Sequence, residues 1–293
     1  MIFSYKNNII FKKKIIKRKG YTIEIQVLVE NKTLNKELAK EHGLSLYIET
    51  NGKKILFDVG ESDKFLKNAK KLGVNLEEID YLILSHGHKD HGGGLPYFLN
   101  KNNRARIFCS EHYFDKHYKK ILGAHIDIGI PYEYLDVERF NFIDKSLELE
   151  NLVIFHCDSK ESDNVLNESL YMKDTFGECI RDSFNHELNL VIKEETEAVL
   201  ITACAHKGLD NILKKAKEFS ENVKFVVGGL HLSSRTSLNK NEEYIDKIID
   251  ESNRLGIKGI YPCHCTGEYG IKKMQDNGSF RTEEIQTGSR IKI

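Results

Sequence analysis

Three histidines and an aspartate, His86, His88, Asp90 and His91, stand within six positions of the segment Ser85-His-Gly-His-Lys-Asp-His-Gly-Gly-Gly-Leu95. Neutral imidazole is the commonest protein ligand for divalent ions of borderline softness, and a nearby carboxylate adds charge compensation. Residues i and i+2 of an extended segment project to one side, so His86 and His88 can hold one ion together. Past the turn, Asp90 and His91 point elsewhere and can reach a second ion. The glycines that follow let backbone pass close to the ions and open a helix without side-chain clash. The segment reads as a metal site rather than a polar loop with chance histidines.

Ligands need a frame, and the rest of the chain supplies one. Residues 22–29 alternate apolar and polar and read as a strand. Residues 44–49 and 54–57 read as two more, joined by the hairpin signal Asn51-Gly52 and ending in the polar corner Phe57-Asp58-Val59-Gly60. Residues 62–72 carry Phe65, Leu66, Ala69 and Leu72 on one helical face. Residues 81–84 form a short buried strand with the histidines at its end, and 106–109 and 151–155 are further strands. The second half repeats the logic. Strands at 188–192, 198–202, 224–227 and 259–261 alternate with helices at 209–219 and 242–255, and a last strand runs to Ile293. Four strands end in a turn that bears histidine or aspartate beside glycine or another small residue, the place where an α/β fold offers a cofactor site. Residues 112–187, rich in tyrosine and charge, lack clear periodicity and are expected to be inserted helices and loops capping the site.

Composition narrows the function. A chain of 293 residues is long enough for a large α/β core. Its 44 basic and 44 acidic residues cancel, which argues against a nucleic-acid or anionic-membrane partner. Six cysteines, at 109, 157, 179, 204, 263 and 265, do not form the dense pattern of a small secreted scaffold. No secretory signal or membrane-length apolar run is visible, so the cytoplasm is the expected compartment. The basic run at 11–19 falls in an N-terminal extension, residues 1–20, to which no role is assigned; a single domain is expected over 21–293. Nothing in the sequence sets the oligomeric state.

The histidine cluster after a buried strand, with Asp58 upstream and separated histidines downstream, resembles the metallo-β-lactamase fold superfamily. Glu41-His-Gly-Leu-Ser45, Ile55-Leu-Phe-Asp-Val-Gly60, Ser85-His-Gly-His88, Gly92-Gly-Gly-Leu95, Gly228-Gly-Leu-His-Leu232 and His264-Cys-Thr-Gly267 look like its subgroup named for 7,8-dihydropterin-6-methyl-4-(β-D-ribofuranosyl)aminobenzene-5'-phosphate synthase, whose members resemble metal-dependent hydrolases. The resemblance implies a four-layer αβ/βα sandwich with a two-metal site at one edge of paired sheets. It implies that His86, His88 and a later histidine hold the first ion, and Asp90, His91 and another late histidine the second. His206 and His264 are the candidates for those late ligands, and Asp58 would orient a ligating histidine from behind. The Gly-Asp-Thr-like strand end that supplies a bridging aspartate in the wider superfamily is missing, and Cys204 is the candidate to take its place.

Other residues stay open. His231 is either a ligand or an acid/base facing the substrate. Cys263 and Cys265 could ligate, but alternation along a strand would turn both away from the face that His264 uses. His42, His112, His117, His125 and His186 read as structural or surface residues, and His156 as part of a polar strand end.

The implied activity is a metal-dependent hydrolase in which one or two divalent ions, zinc first and iron or manganese as alternatives, generate a hydroxide that attacks a small phosphorylated or ester-like metabolite. Asp90 would ligate and steer the nucleophile, and His231, if not a ligand, would protonate a leaving group or bind the substrate's anion. The competing reading is group transfer of the synthase type. A redox di-iron enzyme is disfavoured by the second histidine, which diiron relatives replace with glutamate. A non-catalytic metal-binding domain is disfavoured by the complete ligand set.

Overall fold

The computed structural model describes residues 23–33, 35–131, 138–159, 164–233 and 241–293. The expectations for residues 1–20, with their basic run, lie outside these residues, as do 132–137 and 160–163 of the expected cap.

Strands β1 (Glu24–Val29), β2 (Ser45–Thr50) and β3 (Lys53–Phe57) form an antiparallel meander in which Ile25 pairs with Ile48 and Ile48 with Ile55. Asn51 and Gly52 join β2 to β3 with φ of 47° and 72°, the left-handed pair that a two-residue hairpin turn requires. Helix α1 (Lys64–Lys71) then returns the chain to β4 (Tyr81–Ile83), parallel to β3. Two short helices, α2 (Lys89–Gly92) and α3 (Leu95–Lys101), lead to β5 (Arg106–Ser110), parallel to β4.

A hairpin, β6 (His117–Ile121) and β7 (Ala124–Asp127), comes next, and β8 (Phe140–Ile143) returns to lie beside β5. Then β9 (Ser146–Leu149) and β10 (Leu152–His156) begin a second sheet, while β11 (Leu170–Lys173) and β12 (Cys179–Arg181) join β6. The chain continues as β13 (Leu188–Lys193), β14 (Ala198–Thr202), α4 (Leu209–Phe219), β15 (Val223–Gly229), α5 (Glu242–Arg254), β16 (Gly259–Cys263), α6 (Gly267–Asn277), β17 (Arg281–Thr282) and β18 (Arg290–Lys292).

The result is two seven-stranded sheets, in the orders β18-β1-β2-β3-β4-β5-β8 and β17-β16-β15-β14-β13-β10-β9, plus a small sheet β12-β11-β6-β7. Ile25, Leu46, Phe57 and Ile83 of the first large sheet meet Ile154, Leu190, Ile201 and Val227 of the second, which is the central core. Phe65 and Ala69 of α1 and Phe98 of α3 cover the outer face of the first sheet. Ile212 and Leu213 of α4, Ile245 and Ile248 of α5 and Met274 of α6 cover the outer face of the second. Each sheet is apolar on both faces because each is buried on both, so its parallel strands read as continuous apolar runs. The four layers are helix, sheet, sheet, helix, as the resemblance implied.

Residues 112–187 differ from expectation. Apart from a short 3-10 segment at Val165–Ser169, the regular elements described there are strands, and β8, β9 and β10 belong to the two large sheets. Only β6, β7, β11 and β12 stand apart. Every residue of β7 is exposed, as are three of the five in β6, so these strands bury no stripe from which a period could be read.

Candidate metal centre

The candidate residues follow the carboxyl ends of strands. Asp58 follows β3; His86 and His88 follow β4; Cys204 and His206 follow β14; His231 follows β15, and His264 follows β16. Strands β3, β4 and β5 run parallel, as do β14, β15 and β16. Both sheets therefore deliver their loops to one edge, where ligands of open α/β sheets gather. Close approach is built into the sequence at Gly92, where a Cβ would overlap the Tyr113 hydroxyl, and at Gly228 (φ 131°), where it would overlap the Thr202 carbonyl.

One group unites His86, His88 and His206, each offering a ligand atom within 4.8 Å of the others. The His86 ring centroid lies 4.6 Å from that of His88 and 5.1 Å from that of His206. Burial, the largest influence, pushes all three well below the usual imidazole range, so they are neutral, the form that ligates. Outer partners fix two of the tautomers. His86 Nδ1 is 2.8 Å from Ser85 Oγ, which donates to Asp58 Oδ2 at 2.7 Å. His206 Nδ1 is 3.2 Å from Asn167 Oδ1, and Phe184 stacks on the His206 ring at 4.5 Å. That leaves the Nε2 lone pairs of His86 and His206 free. Nε2 of His86 and of His206 is buried and, among the described residues, without a hydrogen-bond partner. An unpaired buried polar group costs about 1–3 kcal/mol, so two together beside the His88 ring need an occupant, and a divalent ion fits.

A second group unites Asp90, His91 and His264. His91 Nε2 and His264 Nε2 are 3.1 Å apart, and Asp90 Oδ2 is 3.5 Å from the former and 3.4 Å from the latter. His91 Nδ1 donates to Asp58 Oδ2 at 2.8 Å, and His264 Nδ1 lies 3.0 Å from Asn31 Oδ1, so both Nε2 atoms face inward. Burial alone would lower His91; Asp90 and Asp58 outweigh it and raise it to about 10. Burial likewise opposes ionisation of Asp90, but His91 and His264 hold its carboxyl well below the ordinary range. Two imidazole nitrogens and a carboxylate facing one another again suit a cation, which would take the place of the His91 proton.

Cys204 lies between the groups. Its Sγ is 3.3 Å from His91 Nε2, and it offers a ligand atom both to the set with His86 and His91 and to the set with His264 and Cys265. Cys265 Sγ is 3.3 Å from Cys204 Sγ, contrary to the expectation that alternation would turn it away. The strand stops at Cys263 and residues 264–266 form a 3-10 turn, with His264 at φ 52°, so strand periodicity no longer applies. Cys263 remains in the core between the sheets. His231 sits beside the first group, its ring 4.4 Å from His206 and its Nδ1 buried without a partner among the described residues. Asp58 stands behind both groups, touching His91 directly and His86 through Ser85.

Several neighbours escaped sequence reasoning. His42 Nε2 is 3.3 Å from Asp90 Oδ2, and His117 and His186, read as structural or surface residues, are buried next to His88. Glu187 accepts the backbone N–H groups of His206 and Lys207, and burial raises its carboxyl to about 7. Only the pair His186-Glu187 ahead of an apolar run hinted at this role. His156 has its own partner, the Ile143 carbonyl at 3.0 Å.

Residues 39–154 match the family model of the metallo-beta-lactamase superfamily. An uncharacterised protein of Methanocaldococcus jannaschii is 30% identical over 260 residues, covering 87% of this chain and 95% of its own. A second protein of that organism, named 7,8-dihydropterin-6-methyl-4-(beta-D-ribofuranosyl)-aminobenzene-5'-phosphate synthase, is 28% identical over 92% of this chain and 97% of its own. The crystal structure of Tm1679, described as a metal-dependent hydrolase of the beta-lactamase superfamily, superposes with a TM-score of 0.77 at 29% identity, over 92% of this chain and 99% of Tm1679. The chain belongs to the metallo-β-lactamase superfamily, among its metal-dependent hydrolases.

Proposed function

We propose that this chain hydrolyses a small phosphorylated or ester-like metabolite with two divalent ions, zinc first among them. His86, His88 and His206 would hold the first ion, Asp90, His91 and His264 the second, with the Cys204 sulfur between them. The observation that carries this reading is the convergence of orphaned, buried Nε2 atoms from turns more than a hundred residues apart in sequence. A donor set of imidazoles, one carboxylate and a thiol favours zinc or iron over magnesium or calcium. When bound, such ions activate water near neutral pH and stabilise charge on the attacked group.

The chain's own residues do the rest. Asp90 carries a carboxylate oxygen within the second group, 3.4 Å from His264 Nε2, from which it would orient the attacking water. His231, partly buried beside His206, is positioned to give a proton from its ring to a leaving group. Asp58 and Ser85 hold the imidazoles of His91 and His86 in the ligating orientation. Among the described residues no helix is long and apolar enough to cross a membrane.

The test is metal analysis of protein purified without added metal, followed by assays on phosphomonoester, phosphodiester and lactone substrates. Metal-dependent hydrolysis of any one supports the reading; bound metal with no hydrolysis of any contradicts it. The second reading, group transfer, has the name of the 28% identical relative in its favour. Product formation from a reduced pterin and 4-(β-D-ribofuranosyl)aminobenzene 5'-phosphate, without hydrolysis of the panel, would select it.

A further inference from the structure

Four ligating histidines of the two groups have an outer partner for the ring nitrogen that faces away from the ion: Ser85 for His86, Asp58 for His91, Asn167 for His206 and Asn31 for His264. His88 shows no such hydrogen bond among the described residues, and its Nε2 is buried and unpartnered. A metal-bound imidazole keeps a proton on its second nitrogen, and that N–H almost always has an acceptor.

A cluster with no other assigned role lies beside it. His117, Asp182 and His186 are buried, and one ligand atom from each, with one from His88, lie within 4.8 Å of one another. Their protons can be placed in turn. The Gly87 N–H donates to His186 Nδ1 at 2.8 Å, so the proton of a neutral His186 is on Nε2, which lies 3.3 Å from Asp182 Oδ1 but makes no hydrogen bond among the described residues. Asp182 Oδ1 accepts the Phe184 N–H at 2.7 Å. His117 Nδ1 donates to Asp182 Oδ2 at 2.8 Å. One lone pair is then left over, that of His117 Nε2, which is buried and unpartnered. Its ring stands edge-on to His88 with centroids 5.7 Å apart.

We propose that His117, clamped by Asp182, is the outer acceptor for the ring N–H that His88 retains when it ligates. Asp182, His117 and His88 then form a relay parallel to that of Asp58, Ser85 and His86. His117 is a positioning residue: it sets which nitrogen of His88 faces the ion, holds the ring plane and raises the ring's basicity. The inference rests on the proposed role of His88 as a ligand.

The same four side chains could be taken for a third cation cage. The protons argue against it. One nitrogen of His186 is occupied by Gly87 and the other carries hydrogen, so His186 could ligate only as an imidazolate.

The experiment compares the full-length wild type with His117→Leu, which removes the acceptor, and His117→Gln, whose side-chain oxygen reaches about where Nε2 stood. Zinc stoichiometry at saturation, zinc affinity by chelator competition and the ligand-field spectrum of the cobalt-substituted protein are measured. The expected result is unchanged stoichiometry, one ion weakened about 10- to 100-fold in His117→Leu with a shifted cobalt spectrum, and recovery of most of that loss in His117→Gln. If His117→Leu does not fold, Asp182→Asn, which keeps an acceptor for His117 Nδ1 but removes the charge, must show the weakened ion and the shifted spectrum. Affinities and spectra equal to wild type overturn the proposal. Loss of a whole ion at saturation, with the others unaffected, overturns it in favour of the cage. A wild type that binds zinc no better than His206→Ala would defeat the proposed function itself, whereas tight wild-type binding indifferent to His117 defeats this inference alone.

Discussion

The two ligand groups share one sheet edge yet are built from opposite electrostatics. His86, His88 and His206 are three neutral imidazoles whose burial keeps protons off, so the pocket has no charge to set against an ion. Asp90, His91 and His264 include a carboxylate, and in the absence of an ion His91, raised to about 10, holds a proton against Asp90 and Asp58. The first group is a cup of neutral nitrogens; the second shares a proton between imidazole and carboxylate. Its ion must displace a proton, and in exchange gains the carboxylate.

The comparison breaks most visibly at His88. Replacing it with alanine takes a nitrogen from the first group and should remove that ion and reduce turnover to background, read by metal analysis and activity together. Full turnover from a folded, metal-depleted His88→Ala protein contradicts the assignment. Asp58→Asn should blur the difference between the groups, because Asp58 supports His91 directly and His86 through Ser85. Asparagine tolerates the left-handed φ of 61° at this position, so the fold should persist while both ions weaken about 10- to 100-fold in chelator competition. Weakening of only one ion would show that the relay through Ser85 does not matter.

The smallest effect sharpens the contrast through pH. Below the raised value of His91, about 10, each unit of rising pH makes the displaced proton easier to lose. Affinity for the second ion should therefore climb by about tenfold per unit between pH 6 and 8, while affinity for the first changes little. Calorimetry in buffers of different ionisation enthalpy checks this: one proton released on filling the second position, none on filling the first. Equal proton release at both would erase the distinction.

Much of this was legible in the chain because the relevant signals are local. The hairpin at Asn51-Gly52, the helix at 209–219 and the strand-end histidines each sit in a window whose period or spacing is fixed by one element. His206 and His264 were reachable because each ends an apolar strand beside a small residue. The supporting residues were not. Asp182, Asn167 and Asn31 act across long sequence separations, and nothing in their neighbours marks a carboxylate or amide that will be brought against a histidine by tertiary packing. His117 and His186 were read as structural or surface residues because strands exposed on one face give no apolar period to locate their buried neighbours. Cys265 was misjudged for a different reason: the strand rule was extended past Cys263 into a turn that it does not govern.

Anomalous diffraction from crystals of protein loaded with zinc tests the central claim most directly. Two peaks about 3.5–4 Å apart are expected, one within bonding distance of His86, His88 and His206 and the other of Asp90, His91 and His264. A peak that touches neither trio, or no peak at all from protein that turns over substrate, would contradict it.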